Sequence, residues 1–325
     1  MKYLSVCSGI EAATVAWHPL GWECVGVAEI DPFACSVLKH HYPNVRNYGN
    51  LNDYASWDIA PGAVDVLVGG TPCQSFSVSG LRKGLADPRG NLALVYLGLV
   101  DRIRPRRLVW ENVPGVLSSG GGRDFGAFLG ALVELGYGFA YRVLDAQWVR
   151  VDGHPRAVPQ RRRRVFVVGC AGADWQRAAE VLLEPEGLRG CAPTRLTIKK
   201  DDSAEACPSS LKRGNDSGVE WPSSVSPTLD SMWGDRAPHT INQEWLSTAG
   251  GKFVPDALVG ALAVPRVRRI TPRECERLQG FPDDYTLVAH KGKPAADGNR
   301  YKAIGNSMAV NVMRWIGARI SSREV

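Results

Sequence analysis

Through its first 170 residues the chain alternates short apolar runs with segments whose apolar positions recur every three or four residues. The runs at 3–7, 24–28, 64–68, 108–110 and 165–168 are bounded by Gly, Pro or Asp and read as strands. Between them, 32–41, 91–103 and 124–135 read as helices; Leu92, Val95, Leu99 and Ile103 share one face at helical spacing. Such alternation predicts a doubly wound α/β domain: a mostly parallel sheet with helices on both faces, taking its ligands at the carboxyl ends of the strands.

From 171 to 264 the texture changes to Pro, Ser and Gly with scattered Trp175, Trp221, Trp233 and Trp245, and stretches such as 201–210 look like loop. This predicts a smaller, irregular second module. Beyond it a helix start is written at Thr271, with Thr as N-cap, Pro272 in the first turn and Glu274 behind it. Residues 307–320 form an amphipathic pattern. The chain thus divides into 1–170, 171–264 and a closing segment 265–325.

Composition narrows the class. The 325 residues are 44% hydrophobic and 22% charged, which excludes disordered, collagenous and low-complexity chains. A chain of this size buries a core without covalent staples. Its eight cysteines contain no CxxC pair or tight cluster, so neither a zinc site nor a disulfide framework is expected. No apolar run approaches a membrane span and no signal-peptide pattern follows Met1, so a cytoplasmic location without membrane partners is expected. The net charge of +6 is unevenly spread: residues 1–149 carry −1, 150–164 carry +5, 165–265 carry −4 and 266–325 carry +6. Two basic blocks therefore flank an acidic middle, a pattern open to a polyanion or to plain solvated surface.

Three strand ends carry chemistry. The first strand runs into Ser8-Gly9-Ile10-Glu11-Ala12-Ala13, and Glu29 closes the second strand twenty residues past Gly9. This is the layout of an adenosine-binding βαβ unit, in which a carboxylate accepts hydrogen bonds from ribose. With a single glycine a pyrophosphate would be poorly cradled, so an adenosyl ligand without phosphates, such as S-adenosylmethionine, suits the turn better; a ligand-free turn is the bland alternative. The third strand ends in Gly69-Gly70-Thr71-Pro72-Cys73-Gln74, placing Cys73 as a nucleophile would be, although a free cysteine more often packs as an inert hydrophobe. Glu111 ends the fourth strand, where an apolar setting would keep it protonated. In Gln160-Arg161-Arg162-Arg163-Arg164, an extended chain sends Arg162 and Arg164 to one face and Arg161 and Arg163 to the other.

Taken in order, Ser8-Gly9, Glu29, Pro72-Cys73-Gln74, Glu111-Asn112-Val113, Gln160-x-Arg162-x-Arg164, Arg273-Glu274-Cys275 to Gly280-Phe281-Pro282 and Gly305-Asn306-Ser307 resemble the blocks of the DNA cytosine C5-methyltransferases. The likeness spans about 230 of the 325 residues, everything but the middle module, and its Cys-Ser-Gly-Ile-Glu turn is similar to phage and prophage members. The resemblance implies a Rossmann-like S-adenosylmethionine-dependent domain in which Cys73 adds to cytosine C6. Glu111 would hydrogen-bond N3 and the exocyclic amine, Arg164 would bind O2, and Arg162 would support the site or a neighbouring phosphate. S-adenosylhomocysteine would be the product and no metal would be needed. The base must be flipped from the duplex.

The resemblance further assigns the cofactor to Ser8, Gly9, Ile10, Glu29, Ile30, Asn50, Leu51, Pro72, Leu92, Asn306 and Ser307. It makes 74–89 a loop that closes on DNA, with Gln74, Ser77, Ser79 and Arg89 at the strand, and 171–264 a target recognition domain with Thr228, Leu229 and Arg236 near the bases. Residues 265–325 would return to complete the catalytic domain. Departures are Glu11, where relatives usually carry a second glycine, Asn50, where they usually carry an acid, and a longer stretch at 149–157. Double-stranded DNA is the expected partner of a monomer, and a cognate restriction endonuclease is compatible with the type. An RNA (tRNA) cytosine methyltransferase of the same fold and a non-catalytic DNA binder are the alternatives. A zinc deaminase is excluded because Phe76 stands where its second cysteine would be, and an adenine N6-methyltransferase is disfavoured because Thr-Pro-Cys-Gln replaces its Asn/Asp-Pro-Pro-aromatic strand end.

Overall fold

The computed structural model describes residues 1–72, 92–183 and 268–323. Its centre is a six-stranded sheet of β1 (Lys2–Val6), β2 (Glu23–Ala28), β3 (Val66–Gly69), β4 (Arg107–Asn112), β5 (Tyr137–Asp145) and β6 (Arg163–Ala171), in the order β2-β1-β3-β4-β6-β5. The first four strands are parallel, whereas β6 runs antiparallel to both neighbours. The doubly wound, mostly parallel sheet is therefore present, with one strand reversed. That reversal matters for function, because it brings the N-terminal end of β6 to the carboxyl ends of β3 and β4: Asn112 pairs with Val165.

Alternation along each strand builds two cores. Tyr3, Val66, Val68, Val109 and Phe166 enter one with helices α1 (Ala12–Trp17), α2 (Pro32–His41) and α8 (Val310–Ser321). Leu4, Val6, Leu67, Leu108 and Trp110 enter the other with α3 (Leu92–Ile103) and α4 (Arg123–Glu134). Each fully buried side chain of this size stabilises the fold by about 1.5–3 kcal/mol. α8 lies so close to α1 that a side chain at Gly317 would strike the Trp17 indole, whose Nε1 donates to the Met313 carbonyl at 2.7 Å.

The caps follow local chemistry. Asp31 accepts from the amides of Phe33 and Ala34 to start α2, with Pro32 preset in the first turn. Thr271 and Glu274 form a reciprocal capping box on α6 (Pro272–Gln279), and Gly280 ends it in the left-handed conformation. Arg268 joins this cap, donating to both Glu274 oxygens at 2.7 and 2.9 Å. Arg268 is thereby paired with an acid at the head of α6.

Three elements differ from the pattern-based expectation. β5 was not anticipated; it is an edge strand whose partly exposed positions break the apolar alternation. Residues 175–183, expected to open the irregular module, form helix α5 (Trp175–Leu183), which buries Ala178, Val181 and Leu182. The pattern at 307–320 becomes helical only at Val310, where α8 begins; Ser307 is an extended step directly after α7 (Asp297–Asn306). A short ribbon, β7 (Ala289–His290) with β8 (Lys293–Pro294), lies between α6 and α7.

Candidate active site

The carboxyl ends of β1 to β4 open into a cleft of about 790 Å³, closed on the far side by α7. This is the size of a small-molecule site, and it lies where a doubly wound sheet takes its ligands. At one end the chain leaves β1 through Gly9, whose φ of +56° is left-handed and whose missing side chain leaves open space. Glu29, leaving β2, ties this loop down. Its Oε2 accepts from the Gly9 amide at 2.7 Å, and its Oε1 accepts from the amides of Ile30 and Asp31 at 2.8 and 2.7 Å. Oε2, with one bond against two at Oε1, retains acceptor capacity for a ligand hydroxyl. Ile30 stands 66% exposed beside it as an apolar wall. Asn50, Leu51, Pro72, Leu92 and Asn306 line the same cleft.

At the other end Glu111 leaves β4 almost wholly buried. Arg164 Nε lies 3.1 Å from its Oε1, with both side chains largely shielded from water. Burial raises the Glu111 carboxyl above its ordinary range, against the opposing pull of Arg162 and Arg164. Arg162 is 2% exposed and donates through Nη2 to the carbonyls of Gly305 and Ser307 at 3.0 and 2.6 Å. Burial and the adjacent Arg164 charge press its pKa down to about 9. Both arginines line the cleft, as the strand alternation implied, while Arg161 and Arg163 are exposed. Arg162 is thus buried in the cleft wall and tied to two carbonyls of the turn after α7.

Two further contacts shape the strand ends. A Cβ at Gly70 would come within 3.0 Å of Glu111 Oε2 and 3.2 Å of Met308 Cε, so only glycine lets the carboxyl sit there undisturbed. Thr71 is held twice, its carbonyl taking Asn112 Nδ2 at 2.9 Å and its hydroxyl taking Trp110 Nε1 at 3.0 Å. The backbone immediately before Cys73 is therefore anchored to β4.

Cys73, Gln74, Ser77, Ser79, Arg89, Thr228, Leu229 and Arg236 lie outside the described residues. Ser8 and Ser307 line a smaller space that adjoins the cleft. Ser8 uses its hydroxyl to bind the Ser5 carbonyl and the Ala28 backbone. Ile10 does not line the cleft; its side chain is fully buried in the core and its carbonyl accepts from Tyr285 Oη at 2.9 Å. Sequence reasoning passed over Asp31, Phe33, Asn299 and Lys302 in the cleft wall. The first two sit two and four residues past Glu29 and were legible as the helix start; the last two come from the unanticipated α7. Among the described residues no three His, Cys, Asp or Glu side chains gather as a metal site, and no helix is long and apolar enough to cross a membrane.

Comparison with known proteins places these features in context. Residues 1–201 and 232–322 match the family described as C-5 cytosine-specific DNA methylase. A DNA N-6-adenine-methyltransferase of Escherichia phage P1 is 35% identical across 98% of this chain, and the chain spans 61% of that relative's length. Type II methyltransferase M2.BsuMI of Bacillus subtilis is 28% identical over 99% of this chain and 75% of its own. M.HpaII of Haemophilus parainfluenzae is 26% identical over 98% and 88%. Among solved structures, a DNMT2 mutant from Spodoptera frugiperda superposes with a TM-score of 0.59 at 21% identity, covering 98% of this chain and 99% of that one. S. pombe Dnmt2 methyltransferase gives 0.59 at 17% over the whole of both chains. These two likenesses establish the fold.

Proposed function

Because the chain belongs to the C-5 cytosine-specific DNA methylase family, we propose that it methylates C5 of a flipped cytosine in a specific double-stranded DNA sequence, using S-adenosylmethionine. The observation that carries this reading is the pairing of two unlike ends in one cleft: a Gly9–Glu29 turn suited to an adenosyl group, and a buried Glu111 with raised pKa flanked by Arg162 and Arg164. The turn fits the cofactor, since its open backbone and clamped carboxylate present acceptors for ribose and no nest of amides for phosphate. When bound, that cofactor supplies an electrophilic methyl group.

Cytosine is a poor electrophile at C6, so the chemistry depends on how the protein activates it. Cys73 forms a bond from Sγ to C6 as N3 gains a hydrogen bond from protonated Glu111, moving electron density to C5. C5 then takes the methyl group, loses its proton, and the Sγ–C6 bond breaks to restore the ring. Arg164 engages Glu111 Oε1, which leaves Oε2 as the oxygen to carry the proton. Arg162 holds the turn after α7 against the same wall. The middle module, 171–264, supplies base recognition, and the flanking basic blocks supply phosphate affinity.

The test is transfer of labelled methyl to duplex DNA and to tRNA, followed by mass spectrometry of the nucleosides. 5-Methylcytosine in duplex DNA is expected, with Cys73→Ser abolishing it and a 5-fluorocytosine duplex trapping the protein covalently. N6-methyladenine, the modification in the name of the phage P1 relative, would overturn the reading, as would methylation confined to tRNA. DNA binding without turnover on any sequence would identify a non-catalytic derivative.

A further inference from the structure

Glu11 is the residue that the site as described does not use. It stands at φ +66°, ψ +60°, a left-handed conformation that costs a non-glycine residue of order 1 kcal/mol or more, and it is 1% exposed. Its Oε1 accepts from the Thr14 amide at 3.1 Å and the Thr14 hydroxyl at 3.0 Å. Its Oε2 is buried and makes no hydrogen bond of regular geometry, although the Ser5 hydroxyl in the same small space also interacts with the carboxyl. A buried carboxyl oxygen left unsatisfied is costly and calls for a ligand. Glu11 also walls a space of about 30 Å³, room for one water, that it shares with Gly9, Gly70, Glu111, Asn306 and Met308. Four of those five also line the main cleft.

We propose that Glu11 recognises the α-ammonium group at the amino-acid end of the adenosyl cofactor, through its buried Oε2 and across that water-sized space. The assignment rests on the adenosyl reading of the cleft. Among the described residues, no cation opposes Glu11 from the elements packed around it. Tyr3 on β1, Cys24 on β2, and Tyr42 and Tyr285 beyond α2 and α6 are held neutral by burial, and Glu29 adds a like charge. Cys7, equally raised, and Glu111 stand across the small space. Burial lifts the Glu11 carboxyl to about 7, although Ser5 and Thr14 pull the other way. An incoming ammonium therefore favours ionisation and displaces a proton from Glu11 below neutral pH.

Two ligands separate this role from its alternatives: S-adenosylhomocysteine, which carries the amino-acid end, and 5′-methylthioadenosine, which lacks it. Calorimetry on the full chain between pH 5.5 and 7.5 should show S-adenosylhomocysteine affinity rising about tenfold, with proton release revealed by buffers of different ionisation enthalpy. Methylthioadenosine affinity should stay flat. Glu11→Gln should remove the slope and weaken S-adenosylhomocysteine about tenfold at pH 7.5 while leaving methylthioadenosine unchanged. Glu11→Gly, whose backbone is at ease at this φ, should do the same and guards against a misfolded variant. A slope that survives in Glu11→Gln, or an equal loss for both ligands, would overturn the role and leave Glu11 a structural cap. Failure of the unaltered protein to bind either ligand would overturn the adenosyl reading itself.

Discussion

The two ends of the cleft are built by different means. At the Gly9–Glu29 end, the site is made of βα turns that follow directly from parallel strands. Its one central carboxylate is satisfied by three backbone amides, close to solvent. At the Glu111 end, the walls come from distant parts of the chain: β4, the reversed β6 and the turn after α7. They meet through buried charge rather than backbone geometry. The first end can lose a contact and remain folded. At the second, charges removed from water depend on one another, so chemistry and stability are coupled there.

The sharpest way to break this contrast is Glu111→Gln. The amide keeps the shape but cannot give up a proton, so turnover should fall by about 10²–10⁴-fold, the range ascribed to a positioned general acid. S-adenosylhomocysteine affinity should stay within about twofold, because Glu29 is the carboxylate proposed to face the ribose. Turnover of the unaltered protein requires protonated Glu111 and should decline as pH rises through the raised pKa of that group. Single-turnover rates across pH would show the decline, and a cofactor affinity that fell in parallel with turnover would show that the ends are not separable. Arg162→Met comes next. It strips the Gly305 carbonyl of its buried Arg162 donor, leaves the Ser307 carbonyl with Gln279 Nε2 alone, and should cost roughly 1–3 kcal/mol in urea unfolding. An unchanged midpoint would mean that desolvating the guanidinium offsets its hydrogen bonds, and that the buried end is held by packing alone.

Glu29→Gln probes the other end at a smaller scale. The amide oxygen can still accept from Ile30 and Asp31, but the amide nitrogen cannot accept from Gly9, and the charge that would strengthen hydrogen bonds from ribose is gone. Affinity for S-adenosylhomocysteine and methylthioadenosine should fall together by about tenfold, with turnover at saturating cofactor held within about twofold. A loss of turnover that added cofactor cannot restore would mean that the Gly9 turn also positions the reacting groups.

The same contrast governs what could be read in advance. β1 to β4 and α2 to α4 are apolar runs buried on both faces or amphipathic helices, and their order alone implies a ligand rim with Gly9, Glu29 and Glu111 along it. The reversal of β6 is invisible to such patterns, because a strand reads alike in either direction. The alternation nevertheless put Arg162 and Arg164 on one face, since side-chain period does not depend on strand direction. β5 escaped because an edge strand with exposed Tyr141 lacks a continuous apolar face. α7 escaped because its sequence, Asp-Gly-Asn-Arg-Tyr-Lys, is polar; its stability comes from tertiary partners such as the buried Arg300 paired with Glu276. Glu11 was legible as a departure from the resembling family, but a buried oxygen without a regular hydrogen bond is a fact of three dimensions.

Asn50 offers the mildest test. Its Oδ1 accepts from the Asn52 amide at 3.0 Å and from Asn52 Nδ2 at 2.9 Å, capping the short turn Leu51–Ser56 on the cofactor side of the cleft. The oxygen is thus committed to the cap, and the amide nitrogen is the group with hydrogen-bonding capacity to spare toward an adenine acceptor. Asn50→Ala should lower stability by about 1 kcal/mol through the lost cap. It should weaken S-adenosylhomocysteine and methylthioadenosine alike by about two- to threefold, since both carry the adenine. Turnover at saturating cofactor should not change. A stability loss without any change in affinity would reduce Asn50 to a cap, and would leave adenine recognition at this end to Ile30, Leu51 and Leu92 through apolar contact alone.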